Sequence, residues 1–405
     1  MILHNRPLRA LLLAQVVSRL GSQMTFLALP WFVLETTGSA ARMSVVLAVE
    51  LAPIALFGIP SGSLVARLGA RRTMLLGDAG RVPLMCAVPL LHSAGLLSFP
   101  LLLVLVFLLG CFLAPYMAAS TVVVPELVGD DERTVAQANA ALEGVQRATS
   151  LLGPPAAGLL IGLIGATSVL YVDAGTFLLS FLVLGVFVPA RPPLAPSEES
   201  RGLLAGVRFL LRDPFLRVLG ITALFLNMFG QMLSASLLVL ARDEFDSARV
   251  AGGFFAAFGA GAVVGSVIAV KLVLRYDPIR LGAVALVLLT APVPLLALDL
   301  PAAAVMAVLF ASSVFGPLVN SPLVAVIMTR SPEALRPKVM AAVLTAALLA
   351  GPLGLLAVGP MLAALGARPT LLVIAVGQFV STLPFALAAL TGRSLGSATP
   401  AAAAE

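Results

Sequence analysis

The chain has 405 residues, 60% of them hydrophobic and 11% charged, with a formal net charge of +6. Soluble domains are roughly 45–50% apolar and about 25% charged, so an ordinary soluble fold is excluded. About 20 apolar residues cross roughly 30 Å of hydrocarbon, and this length leaves room for about twelve crossings with short connections.

Hydropathy windows of about 19 residues place spans at Leu11–Leu34, Met43–Val65, Met74–Leu91, Phe99–Val122, Val135–Ile164 and Val169–Val188. In the first of these, Arg6 and Arg9 precede the apolar run and Arg19 interrupts it. No small-x-small cleavage site follows, so it reads as an uncleaved span rather than a secretory signal. The break that follows the sixth span holds RPPLAPSEES and then GLLAGVRFLLRD. It reads as a Pro-rich linker and a short amphipathic helix on the membrane surface. Six more spans follow at Phe215–Leu240, Val250–Leu272, Ile279–Leu298, Ala302–Met328, Val339–Leu365 and Leu371–Leu390. The fold class is therefore an all-α polytopic membrane protein of twelve transmembrane helices in two pseudo-symmetric six-helix bundles. Its expected divisions are 1–189, a cytoplasmic linker 190–214, 215–391 and a disordered tail 392–405.

Of the 25 Lys and Arg residues, most fall in the termini and in alternate loops, and few in the intervening loops at Arg42, Arg242, Arg249 and Arg368. By the positive-inside rule both termini and the central linker face the cytoplasm, which in a bacterium means an inner-membrane protein. The basic residues are not interleaved with aromatics as a nucleic-acid surface requires. Cys86 and Cys111 sit in apolar stretches without metal-site or disulfide spacing. Trp31, the only tryptophan, reads as an interfacial anchor at the outer end of the first span.

The halves repeat one another at a nearly constant offset. Gly153, Gly158 and Gly165 recur as Gly354, Gly359 and Gly366; Gly58, Gly62 and Ser63 recur as Gly261, Gly265 and Ser266, and Pro115 as Pro317. Internal symmetry of this kind is the mark of a transporter built from repeats.

Between the second and third spans stands GSLVARLGARRTML. It resembles the cytoplasmic signature loop of the major facilitator superfamily, a Gly, an Asp-Arg pair, a second Gly and an Arg pair. Gly62, Arg67, Gly69, Arg71 and Arg72 match, while Ala66 occupies the Asp position. Asp78 or Asp130 is the carboxylate available in its place. LLGPPAAG in the fifth span, with Gly153, Pro154 and Gly158, resembles the end of the superfamily antiporter Gly-Pro motif. VPELVGDDERTVAQANAALEGVQ is similar to the branch holding macrolide-efflux, multidrug-efflux and enterobactin-export proteins. The resemblance implies alternating access and an export direction.

Ionisable groups at membrane depth cost at least about 2.5–3.5 kcal/mol each and call for a partner or a task. The clear cases all lie in the first half: Arg19, Glu50, Asp78, Arg81, Glu143, Arg147 and Asp173. At 1.5 Å per residue, Arg19 stands about 16 Å and Glu50 about 20 Å from the cytoplasmic face, so the two are expected to meet. Glu50 has two readings: a proton-carrying site whose ionisation follows the state of the Arg19 pair, or a permanent ion pair joining the first two helices. Asp173 is the second proton-coupling candidate. Glu143 with Arg147, and Asp78 with Arg81, have the spacing of local pairs.

Gln23, Met24, Tyr116, Asn227, Gln231, Phe315 and Asn320 are the candidate lining of an apolar cavity with a few hydrogen-bonding groups, suited to a bulky amphipathic compound. The alternative for the amides is helix–helix glue. No GxxxxGK[ST] is present, which argues against an ATP-driven pump. His4 and His92 give no metal cluster or histidine-based active site. The leading expectation is a non-enzymatic, monomeric, proton-coupled exporter without cofactor or metal. Its partners are a small amphipathic substrate, protons and the bilayer, not nucleic acid. The competing readings are a metabolite uptake carrier or lysolipid flippase of the same fold, a membrane-embedded lipid enzyme, and a non-transporting receptor.

Overall fold

The computed structural model describes residues 5–129, 131–189, 208–209, 211–319 and 336–390. Among the described residues there is no strand, and most belong to twelve α-helices. The first six are α1 (Arg6–Thr37), α2 (Ala40–Leu68), α3 (Ala70–Ser93), α4 (Phe99–Val128), α5 (Glu132–Ile164) and α6 (Ala166–Phe187). Then come α7 (Pro214–Phe245), α8 (Ala248–Val273), α9 (Pro278–Thr290) with a 3-10 turn at Val293–Ala297, α10 (Ala302–Ser313), α11 (Arg336–Leu365) and α12 (Ala367–Leu390). Among the described residues ten helices are long and apolar enough to cross a membrane, and each expected span overlaps one of the twelve, that at Ala302–Met328 only in its described part. The surface linker and the tail lie almost wholly outside the described residues, as do Asp130 and Asn320.

Short polar side chains start the helices by accepting a free backbone N–H of the first turn. Asn5, Ser39, Ser98, Asp131 and Asp277 cap α1, α2, α4, α5 and α9 in this way. Asn5 also donates to the carbonyl of Leu127, tying the start of α1 to the end of α4. Glycines stop the helices. Gly69 (φ +83°) stands alone between α2 and α3, and Gly165 (φ +81°) alone between α5 and α6, a conformation that a side chain disfavours. Two expected spans are interrupted: Pro292 and Pro294 convert the end of α9 to a 3-10 turn, and α10 stops ahead of Gly316-Pro317. Proline removes an N–H from the helical ladder and crowds the preceding turn.

The described chain forms two compact units. The first comprises Met1–Glu198, Ala235–Ala256 and Leu355–Ala364; the second comprises Glu199–Ser234, Ala257–Gly354 and Leu365–Glu405. In the first, α1 packs on α5 and α6, α2 on α4, and α3 on α4 and α6, around Leu8, Leu11, Met74, Tyr116, Val123 and Leu184. In the second, α12 packs on α9 and the 3-10 turn, and the core gathers Leu216, Leu286, Leu318, Val339 and Phe385.

The helix α6 differs from a soluble amphipathic helix in its outer face. Tyr171, Leu178, Leu182 and Val186 are exposed while Asp173, Phe177 and Ser180 are buried. The exposed face is apolar, and the polar Asp173 and Ser180 are turned inward among apolar neighbours, as hydrocarbon surroundings require.

Candidate functional site

Three ionisable residues of the first unit, Asp78, Arg81 and Asp173, are buried in the packing of α1, α3, α4 and α6. Asp78 on α3 is fully buried and pairs with Arg81 one turn on, Nη2 to Oδ1 at 2.6 Å. Its other oxygen accepts the hydroxyl of Ser180 from α6 at 2.6 Å. The Arg81 guanidinium lies between two rings, 4.4 Å from the centroid of Tyr116 on α4 and 4.2 Å from that of Phe177 on α6. Its Nε donates to the carbonyl of Gly77. A desolvated cation over an aromatic face gains about 2 kcal/mol or more, and two faces offset part of the cost of removing Arg81 from water.

Asp173, fully buried on α6, holds hydroxyls rather than a cation. Thr25 Oγ1 of α1 donates to Oδ2 at 2.5 Å and Thr176 Oγ1 to Oδ1 at 2.9 Å. Gly21 makes this approach possible, because a Cβ there would overlap Thr176 Oγ1 and Asp173 Oδ1. A third string runs along α1: Arg19 Nε donates to Gln15 Oε1 at 2.8 Å, and Arg19 Nη1 to Gln146 Oε1 of α5 at 3.1 Å. Gln15 Nε2 in turn reaches the Tyr116 hydroxyl at 3.5 Å.

The expected Arg19–Glu50 pair does not form. Arg19 faces the amides of Gln15 and Gln146, and Glu50 on α2 is half-buried without it. Depth along the axis placed the two residues at one level, but rotation about the axis decides partners, and that the depth arithmetic does not contain. The two local pairs are present, Asp78–Arg81 buried and Glu143–Arg147 exposed at 3.4 Å. Trp31 is buried rather than displayed to the interface, its indole N–H donating to Glu35 at 2.7 Å.

In the signature loop Gly69 ends α2, its N–H bonded to the Val65 carbonyl, and its own carbonyl receives Thr73. Arg71 reaches across to the carbonyl of Gly185 on α6 at 2.6 Å. Gly62, Arg67 and Arg72 are exposed. Asp78 does not stand in for the missing loop carboxylate: both of its oxygens are committed to Arg81 and Ser180.

Gly153 of α5 abuts Gln23 of α1. Pro154 and Gly158 meet α8, where a Cβ on Gly158 would stand 2.5 Å from the Ala248 carbonyl oxygen and one on Gly252 2.7 Å from that of Pro154. The repeat partners behave alike: Gly354 abuts Met228 of α7, and Gly359 lies against Ala41 and Ser44 of α2.

Of the proposed cavity lining, Met24 and Tyr116 are buried and Gln23 is half-buried in the first unit. In the second unit Asn227 is exposed, its amide donating to the Ala223 carbonyl at 2.9 Å, while Gln231 and Phe315 are half-buried. The sequence reading overlooked Gln15, Thr25, Thr176, Phe177 and Ser180. Gln15 sits one turn before Arg19, and Asp173, Phe177 and Ser180 recur at helical spacing, so both signals were available. Among the described residues no cluster of His, Cys, Asp and Glu is suited to a metal ion.

Residues 11–355 match the family model described as Major Facilitator Superfamily. The multidrug efflux pump Tap of Mycolicibacterium fortuitum is 28% identical over 381 residues, covering 91% of this chain and 92% of that one. Tap of Mycobacterium tuberculosis is 28% identical over 386 residues, covering 91% and 90%. Among solved structures, the nucleoside transporter NupG superposes with a TM-score of 0.76 at 13% identity over 94% of this chain and 99% of that one. A bacterial homologue of the human lysosomal transporter Spinster, inward-facing and unoccupied, also gives 0.76, at 16% identity over 95% and 96%.

Proposed function

The chain belongs to the Major Facilitator Superfamily and is a multi-pass membrane transporter, and on that premise we propose that it is a proton-coupled exporter of lipophilic or amphipathic compounds. Antibiotics and siderophores are the substrate classes in view, and the relatives named as multidrug efflux pumps support the direction. In this reading the chain lies in the cytoplasmic membrane with both termini inside and works by alternating access. The proposed contacts of substrate are Gln23, Met24 and Tyr116 in the first unit and Asn227, Gln231 and Phe315 in the second.

The observation that carries the coupling is the difference between the buried carboxyls. Asp78 is matched by Arg81, and a proton placed on it would strand a buried cation. Among the described residues Asp173 and Glu50 form no ion pair, so in this reading either takes up and releases a proton without breaking one. Proton and substrate then bias opposite conformations, a linkage that is reciprocal. Each proton entering down the potential supplies about 2.3 kcal/mol per 100 mV.

The test is a panel of antibiotics, dyes and siderophores added to energised inside-out vesicles, with lumenal proton release as readout. A substrate elicits release from the wild type; Glu50→Gln and Asp173→Asn bind it but release no protons. Undiminished release in both variants overturns the assignment of coupling to these carboxyls. Proton movement in the same direction as the substrate overturns antiport in favour of an uptake carrier.

A further inference from the structure

The second unit holds an apolar furrow that the transport cycle above does not use. It runs between α7 and α12 and encloses about 450 Å³, within the roughly 300–1,000 Å³ range of small-molecule sites. Ile221, Phe225 and Phe229 form one wall, and Gly377, Val380 and Pro384 the other. At the closed end the Phe229 ring rests on Gly377, and the Phe225 and Phe229 rings lie stacked with centroids 6.3 Å apart. The two hydroxyls in the lining are spent on backbone: Thr222 Oγ1 donates to the Ser381 carbonyl and Ser381 Oγ to that of Gln378. The walls therefore offer carbon and almost no hydrogen-bonding capacity to an occupant.

We propose that this furrow seats an acyl chain of an anionic phospholipid from the cytoplasmic leaflet, with its headgroup on Arg217. Three observations select that occupant. The furrow opens outward at Ile221 and Val380, 49% and 54% exposed, apolar side chains on two helices long and apolar enough to cross a membrane, whose exposed apolar surface suits hydrocarbon. It follows the helix axis from Val218 to Phe229, about 16 Å at 1.5 Å per residue, which is close to half of the roughly 30 Å hydrocarbon thickness and hence to one leaflet. Exposed Arg217 is the residue next to Val218 at the α7 start of the lining and lies one turn from Ile221 on the same face of the helix, and it forms no ion pair among the described residues. A cation at the membrane surface above an apolar slot is complementary to an acidic headgroup above a tail. The assignment to the cytoplasmic leaflet rests on the orientation proposed above.

The experiment uses the full chain in nanodiscs of phosphatidylcholine doped with either phosphatidylglycerol or phosphatidylcholine carrying a photoreactive group midway along one acyl chain. Label sites are then mapped by mass spectrometry. Both leaflets of a nanodisc have the same composition, so the outcome depends neither on transport nor on orientation. The phosphatidylglycerol probe is expected to label 218–229 and 377–384 about fivefold more than the phosphatidylcholine probe, the preference that one basic residue confers. Ile221→Trp, at the lipid-facing rim, removes this label while label on α6 persists. Arg217→Gln leaves tail labelling in place but erases the headgroup preference. Labelling spread evenly over all lipid-facing helices overturns the proposal. So does displacement of both probes alike by a transported dye, which would make the furrow a substrate subsite.

Discussion

The crossing of α1 with α6 and the crossing of α7 with α12 join the first and last helices of the two sequence halves, yet they are built from opposite materials. In the first, Gly21 lets α6 bring Asp173 and Thr176 against the backbone of α1, and carboxylate and hydroxyls fill the gap. In the second the small residue has changed sides: Gly377 on α12 receives the Phe229 ring of α7, and the gap stays apolar and partly empty. Helix geometry asks only that one side be small where the axes come close. Which helix supplies the small residue, and what stands opposite, is free to diverge. The polar version can hold charge; the apolar version can hold hydrocarbon.

The largest test of this contrast is Asp78→Ala. It leaves Arg81 buried among rings without its carboxylate, and about 3–5 kcal/mol of stability is expected to be lost, measured as thermal unfolding in detergent. A loss below about 1 kcal/mol would mean that the pair behaves as an exposed one, and the contrast would fail.

Gly21→Ala and Gly377→Ala compare the crossings directly. The first forces a methyl group onto Asp173 and Thr176, with an expected cost of about 1–3 kcal/mol. The second meets only the far end of the Phe229 ring, which tilts aside. Alanine's better helix propensity, about 1 kcal/mol over glycine, brings it near neutrality. Equal costs at the two sites would break the comparison.

The smallest effect concerns acid. Asp131, fully exposed at the start of α5, accepts the hydroxyl and backbone N–H of Thr134, which hold its carboxyl below the usual aspartate range. A depressed value stabilises the fold fully above the unfolded pKa of about 3.9, and the contribution is lost as pH falls from there through the lowered folded-state value. Hydrogen exchange in the first turn of α5, corrected for the intrinsic rate, should therefore quicken in acid. Asp131→Asn keeps the cap and loses the pH response, and the α7–α12 crossing is unaffected in both.

The spans were legible because membrane helices announce themselves by length and by caps that stand in the sequence, such as Ser39 before α2 and Gly165 after α5. The prolines that shorten α9 and α10 were equally visible. Partners across helices were harder to read. Arg81 takes Tyr116 from α4 and Phe177 from α6, 35 and 96 residues away, and nothing local in the chain selects those two rings. Glu50 and Arg19 show the same limit from the other side: matched depth is a one-dimensional quantity, whereas contact also needs the two helices turned toward each other.

The single-residue joints at Gly69 and Gly165 have a mechanical meaning. With no loop to take up slack, a push along α2 arrives in α3, and one along α5 arrives in α6, with little lost on the way. Each pair is a hairpin lever: Arg67 stands on the α2 side of the Gly69 joint, and Arg71 and Arg72 on the α3 side, in the helix that also carries Asp78.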